Sequence, residues 1–209
     1  MSTRINPTKD AAIAFYNEGC ILAQRGKFKV ARDKFEQAIK KDPNYSKAWY
    51  NRALAARKLG RLEEAKDALE KVVQLEPDNL NAWNRLAILA SDLDLYEDAL
   101  KAFRIILSLE GENPQLHSNI GVILHQMGRD TEAIQSIKKA IELAPAYSFA
   151  YYNLASIYAS MNDADKSAEA LKKAMDTGDV TKIQEQIKKD PDFLSILNSA
   201  PMKDILSHN

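Results

Sequence analysis

Asn17, Asn51, Asn119 and Asn153 fall on one 34-residue beat, and Arg85 holds the remaining place. A primary amide presents a donor and an acceptor side by side, so it can pair with a peptide N–H and C=O at once. A row of such amides could hold an extended chain without reading its side chains. The residues one place earlier are Tyr16, Tyr50, Asn84, Ser118 and Tyr152. The three tyrosines among them offer contact area at low entropy cost. Lys47, Arg57 and Lys58 lie near Arg85, against Asp92. This local positive excess suits an acidic segment or a free C-terminal carboxylate, which arginine grips with two hydrogen bonds.

Other chemistry is poorly represented. The chain has no glycine-rich phosphate loop, zinc-protease helix motif or serine elbow. His117 takes a place that tryptophan holds elsewhere on the beat, so it reads as packing between helices. His125 reads as a ligand contact, not a metal site, for want of a nearby cysteine or histidine partner in sequence. His208 adds no pattern. Cys20 follows Gly19 and reads as a small buried filler. No set of residues meets the geometric roles of a catalytic site, and neither an enzyme nor a cofactor is expected.

The elements that must position these residues follow the same beat. With residue 12 as position 1, position 4 reads Phe15, Trp49, Trp83, His117, Tyr151. Position 8 reads Gly19, Ala53, Ala87, Gly121, Ala155, and position 20 reads Ala31, Ala65, Ala99, Ala133, Ser167. Only small side chains stand at positions 8 and 20, where two helices approach closely and a larger residue would overpack. Position 24 (Phe35, Leu69, Phe103, Ile137, Leu171) is large and apolar and fills the layer between helices. Position 15 reads Gly26, Gly60, Asp94, Gly128, Asn162, all residues that tolerate positive φ, so it marks the turn between a first helix, A, and a second, B. Pro43, Pro77 and Pro145 end the B helices, and Gly111 breaks the one between them. Asn113-Pro114 then reads as an N-cap followed by proline at the first helical position. Between these marks apolar residues recur at three- and four-residue spacing, as in VARDKFEQAI and EEAKDALEKVV.

A 34-residue period predicts a stacked array, in which each hairpin buries its faces only against its neighbours. The expected fold is all-α: an N-terminal tail (1–11), five repeats (12–45, 46–79, 80–113, 114–147, 148–178) and a C-terminal capping helical segment (179–209). In that segment Val180, Ile183 and Ile187 share a face, and Phe193, Leu194, Ile196, Leu197, Ile205 and Leu206 follow. Its expected role is to cover the end of the stack. The alternative is a tail that docks in the array's own groove, or a neighbour's.

The chain has 209 residues, with 29 basic and 29 acidic side chains. Zero net charge argues against a nucleic-acid or membrane-surface binder. One cysteine permits no disulfide within the chain, which suits a reducing compartment. The first residues, MSTRINPTKD, lack the apolar core of a signal peptide, and no stretch is long enough to span a membrane. A cytoplasmic location is the expectation.

The segment YNRALAARKLGRLEEAKDALEKVVQLEPDN resembles the tetratricopeptide repeat (TPR) family closely. The resemblance covers about four-fifths of the chain and weakens in repeat five, at Ala164, Ser167 and Asp179; repeat four has Asp130 at a usually aromatic position. It implies a right-handed superhelical solenoid of antiparallel helix hairpins, with the A helices lining a concave groove at positions 2, 5, 6, 9, 12 and 13. It further implies an adaptor or scaffold that binds an extended segment of a partner protein through Asn17, Asn51, Arg85, Asn119, Asn153, Tyr16, Tyr50, Tyr152, Lys47 and Arg57. Phe149 and His125 also take groove positions. Chaperone-binding members of the family use a five-residue carboxylate clamp. Here only Asn51 and Arg85 match it, while Tyr16, Cys20 and Asn81 hold the other places, so chaperone tails are not the expected ligand. The alternative function is structural self-assembly, a homo-oligomer in which the tail fills a groove.

Overall fold

The computed structural model describes residues 7–207, and among them every regular element is helical. The A helices are α1 (Pro7–Gln24), α3 (Ser46–Lys58), α5 (Leu80–Asp92), α7 (Pro114–Gln126) and α9 (Ser148–Ser160). The B helices are α2 (Phe28–Lys41), α4 (Leu62–Leu75), α6 (Tyr96–Glu110), α8 (Asp130–Leu143) and α10 (Ala164–Thr177). The chain divides into two compact units, 1–105 and 106–209. Part of the expected N-terminal tail, residues 1–6, lies outside the described residues. The rest of it, from Pro7, is helical and begins α1.

The turns form where the sequence demands them. All five residues at position 15 have positive φ: 72° at Gly26, 73° at Gly60, 57° at Asp94, 71° at Gly128 and 61° at Asn162. Glycine adopts this region without strain, and Asp and Asn adopt it more readily than other side chains. At the missing proline, Gly111 has φ 88° and donates its N–H to the Leu107 carbonyl. Asn113 then caps α7, its side chain accepting from the Gln115 and Leu116 amides, with Pro114 opening the helix.

Within the first unit, small residues let the helices close. A Cβ built on Gly19 would sit 2.6 Å from the Phe35 ring. Phe35 is buried with Ala31 and Ala55, and Tyr16, Cys20, Leu22 and Ala23 pack around them. A second cluster joins Ala65, Leu69 and Val72 of α4 to Ala82, Leu86 and Leu89 of α5, with Trp49 and Trp83 against it. Each tryptophan spends its indole N–H on the carbonyl of a helix-ending proline: Trp49 on Pro43 and Trp83 on Pro77, both at 2.8 Å. Position 4 therefore fills the layer and ties down the turn that precedes its own helix.

In the second unit Gly121 repeats the close approach, its Cβ place lying 2.4 Å from Ile137 Cγ1. Ser167, the polar member of position 20, is fully buried and donates to the Ala155 carbonyl at 2.9 Å. That bond satisfies the hydroxyl in the core. Beyond α10 lie α11 (Val180–Ile187), a 3-10 turn (Pro191–Phe193) and α12 (Ala200–Ser207). Ile183, Ile187, Phe193, Ile196 and Met202 of this segment are buried. It therefore belongs to the core of the second unit.

Candidate functional site

Helices α1, α3 and α5 of the first unit, with the start of α2, build a cleft of about 600 Å³ lined by Ala23, Phe28, Asn51, Leu54, Ala55, Arg57, Lys58 and Arg85. Its floor is apolar and its rim carries three cations. Arg57 and Lys58 are the last two residues of α3, at positions 12 and 13, and Asn51 stands at position 6. Arg85 comes from the same position on α5.

Two side chains of the rim are held in place by the preceding repeat. Asn51 Nδ2 donates to the Tyr16 hydroxyl at 3.2 Å and to the Lys47 carbonyl at 3.0 Å. Both amide hydrogens are thereby used, and the Oδ1 oxygen is left as the acceptor. Arg85 Nε donates to the Tyr50 hydroxyl, and its guanidinium lies 5.5 Å from the Tyr50 ring centroid. The tyrosine fixes the plane of the guanidinium and leaves the two Nη groups as a fork for a carboxylate. Arg57 pairs with Asp92 at 3.2 Å, but both side chains are nearly half exposed, so the pair is weak and exchangeable. Lys58 makes no ion pair among the described residues. Burial, then the Cys20 thiol, pushes the Tyr16 phenol up to about 12. Tyr16 thus remains a neutral hydroxyl partner for Asn51.

The same linkage recurs in the second unit, where Asn153 Nδ2 donates to Ser118 Oγ at 2.9 Å. Position 6 of one repeat thus bonds to position 5 of the repeat before it, three times over. Asn17 and Asn119 are exposed, as is Lys47, which does not line the cleft. Tyr16 and Tyr50 are half-buried.

Tyr152 departs from expectation. It is only 5% exposed, so it offers no contact area to a ligand. Its hydroxyl donates to Asp190 at 2.8 Å and its ring lies 5.6 Å from that of Phe193. Burial and then the Asp190 carboxylate push the Tyr152 phenol well above the ordinary tyrosine range. Ser156 Oγ donates to Asp192, and Ser195 Oγ donates to the Ala159 carbonyl at 3.4 Å. The stretch 190–196 therefore covers positions 5, 9 and 12 of α9. His125, at position 12 of α7, has Nδ1 2.6 Å from Asp130 and Nε2 3.8 Å from Asp192. This anchors a residue expected as a ligand contact to the C-terminal segment. His117 is half-buried with Nε2 2.7 Å from Glu112, Cys20 is half-buried, and His208 lies outside the described residues. No group of three or more His, Cys, Asp or Glu that could hold a metal occurs among the described residues. None of the described helices is long and apolar enough to cross a membrane.

The family of the cilia and flagella-associated protein 70 C-terminal domain, a TPR family, matches residues 9–189. The chain belongs to this family. Its fold is a helical-hairpin solenoid like those of known TPR structures. MamA superposes with a TM-score of 0.72 at 20% identity, covering 87% of this chain and 96% of that one. YrrB, described as a TPR protein with an unusual peptide-binding site, gives 0.70 at 23% identity, covering 85% and 92%. PilF of Pseudomonas aeruginosa gives 0.63 at 16% identity, covering 96% and 89%. No curated protein matches the sequence. TPR proteins of this kind are protein-interaction modules, and that coarse function holds for this one.

Sequence reasoning missed Phe28 and Leu54 as walls of the cleft. Leu54 stands at groove position 9 of this TPR array and could have been found by completing that column. Phe28 opens a B helix, and no groove column contains it.

Proposed function

We propose that this TPR protein binds an extended segment of a partner protein across the A helices of its first unit. A carboxylate of that segment, a side chain or the C-terminus, seats between Arg57, Lys58 and Arg85. The observation that carries this reading is the cleft itself, in which three cations and the Asn51 carbonyl oxygen rim an apolar floor. A neighbouring apolar side chain of the ligand fills the floor of Ala23, Phe28, Leu54 and Ala55. Asn51 Oδ1 accepts a backbone N–H from the ligand, and Asn17, exposed at the same position of the first repeat, extends the row within this unit. The expected ladder is altered in one respect, because Asn51 and Asn153 already spend amide hydrogens within the array. Backbone capture by Asn51 therefore runs through its oxygen, while Asn153 keeps its oxygen and one amide hydrogen.

A second reading is favoured by the C-terminal segment. Residues 190–196 fill the A-helix face of the fifth repeat of their own chain, which supports the self-filling alternative in its intramolecular form. That leaves the first unit as the place for a partner.

The test is a peptide array of random dodecamers, each displayed with a free or an amidated C-terminus, probed with wild type and with Arg57→Ala/Arg85→Ala. The reading expects enriched peptides that pair a carboxylate with an adjacent apolar residue, and binding reduced at least about tenfold in the variant, as for loss of a charge-assisted pair. Equal binding by both proteins would sink it.

A further inference from the structure

We infer that a pocket on the B-helix side of the first unit, over Trp83, is a binding site for an arginine side chain of a partner protein. This inference is independent of the peptide cleft and uses none of its residues.

The pocket holds about 250 Å³ between α4 and α6. Val73, Trp83, Leu86 and Ala102 form its floor, and Lys66, Glu70, Asp98 and Lys101 stand on its rim. That space suits one inserted side chain and is small for a free-standing organic ligand.

The occupant is visible one repeat earlier in the same unit. Trp49, Glu36, Arg32 and Glu64 stand one 34-residue step before Trp83, Glu70, Lys66 and Asp98. There the counterpart of Leu86 is Arg52. The Arg52 guanidinium carbon lies 5.6 Å from the Trp49 ring centroid, and its Nε lies 2.9 Å from the Glu36 carboxylate. The Arg52 side chain is only 19% exposed, so it is sunk into this place. Both indoles are fixed alike, Trp49 by the Pro43 carbonyl and Trp83 by the Pro77 carbonyl, so the two rings are presented in the same way. Leu86 is shorter than arginine and carries no charge. A pocket is therefore left beside Trp83 and Glu70 where Trp49 and Glu36 hold a guanidinium.

The charges agree with that occupant. An aromatic face next to a carboxylate favours a cation, and a planar guanidinium both stacks and forks. In the earlier place Arg32 turns to Asp33 and to Glu64, the latter at 3.4 Å, which leaves Glu36 to Arg52. In the later place Lys66 turns to Glu70 at 2.5 Å. The Lys66 ammonium is held above the ordinary lysine range by the Glu70 bond first, with Asp98 adding to it. Asp98 is thus near enough to take over Lys66 when a guanidinium claims Glu70, as Glu64 takes Arg32. Lys101 replaces Asp67, is exposed and makes no ion pair among the described residues. It calls for a carboxylate beside the arginine of the ligand. The acid is particular to these two places, since Arg104 and Lys138 stand at the glutamate position in repeats three and four.

The experiment follows the two indole N–H signals of the full chain by NMR. The probe is a capped alanine-arginine-glutamate-alanine peptide, taken to about 20 mM because one stacked ion pair binds in about the millimolar range. In wild type the Trp83 signal, assigned by its loss in Trp83→Phe, should shift and saturate. The Trp49 signal should stay still, because Arg52 occupies its site. The same peptide with citrulline in place of arginine should move neither. Glu70→Gln should weaken binding at least about tenfold, as for loss of a charge-assisted bond. Arg52→Leu copies the residue that the next repeat carries there, and it should make the Trp49 signal respond as well, with folding checked by the dispersion of the spectrum. A Trp83 signal unmoved by the arginine peptide, an equal response to citrulline, or unchanged affinity in Glu70→Gln would overturn the inference. So would a Trp49 signal that stays still in folded Arg52→Leu.

Discussion

Asn51 Nδ2 lies 3.2 Å from the Tyr16 hydroxyl, joining position 6 of the second repeat to position 5 of the first. A groove residue on this array is therefore also a repeat-to-repeat fastener. Tyr16→Phe removes the acceptor and leaves one amide hydrogen unpaired in a half-buried place. The expected cost is about 1 kcal/mol in a urea titration, the usual net worth of such a bond. In a double-mutant cycle with Asn51→Ala the two substitutions should couple by at least about 0.5 kcal/mol. Strict additivity would show that the contact contributes nothing.

The turn residues make a paired prediction. Gly60 has φ 73° and nothing near its Cβ place, so Gly60→Ala acts through backbone strain alone and should cost about 1 kcal/mol or more. Asn162 has φ 61° at the equivalent turn, so Asn162→Gly should be neutral or stabilising by a few tenths of a kcal/mol. Midpoints shifted in the same direction by both changes would contradict this account.

Close approach at Gly121 is a separate matter from turn geometry. An alanine there puts Cβ 2.4 Å from Ile137 Cγ1 and 3.1 Å from the Ala133 carbonyl oxygen. Gly121→Ala should destabilise by about 1–3 kcal/mol through overpacking. The clash is with one side chain before it is with backbone, so Ile137→Val should recover part of the loss. No recovery in the double variant would place the cost elsewhere.

These positions also show what was legible in the sequence. Positions 8, 15 and 20 are set by steric demands that a single residue meets or fails, so type alone revealed them. The groove column at position 6 was visible as a spacing, but its hydrogen bonds were not, because an amide in phase does not name its partner. Tyr152 was indistinguishable by type and phase from Tyr16 and Tyr50. Its burial depends on Asp190 and Phe193, which come from an aperiodic segment with no column to read. The cleft wall at Phe28 was hidden for a related reason: four helices contribute to the cleft, and periodicity describes each helix singly.

Alkaline pH offers a test of the Tyr16 environment. Its phenol is raised to about 12 by burial first and the Cys20 thiol second. An unfolded tyrosine releases its proton near pH ~10, so between about 10 and 12 the unfolded state binds fewer protons than the folded one. The contribution of Tyr16 to stability is whole below that window and is lost as pH rises through it. Tyr45 and Tyr147 are raised in the same direction by burial, so a shared decline is expected. The difference between wild type and Tyr16→Phe isolates the one group. The urea midpoint should fall more steeply for wild type across about pH 10 to 12. Parallel curves would mean that Tyr16 is as solvated as a free phenol.

The C-terminal segment should behave as core and not as a removable strap. Phe193 is fully buried, with its ring 5.6 Å from that of Tyr152, and Asp190 holds the Tyr152 hydroxyl. Phe193→Ala removes a buried aromatic and should cost about 3–5 kcal/mol. In a stack stabilised by nearest neighbours, that loss is felt first by the elements the segment touches. Hydrogen exchange should therefore show protection falling in α9 and α10 while α1 to α4 keep theirs. Tyr152→Phe keeps the ring contact and removes only one bond to a carboxylate, so its cost should be smaller, about 1.5–3 kcal/mol. If Phe193→Ala left α9 and α10 fully protected, the segment would be a loosely laid tail, and the A-helix face of the fifth repeat would become available to ligands.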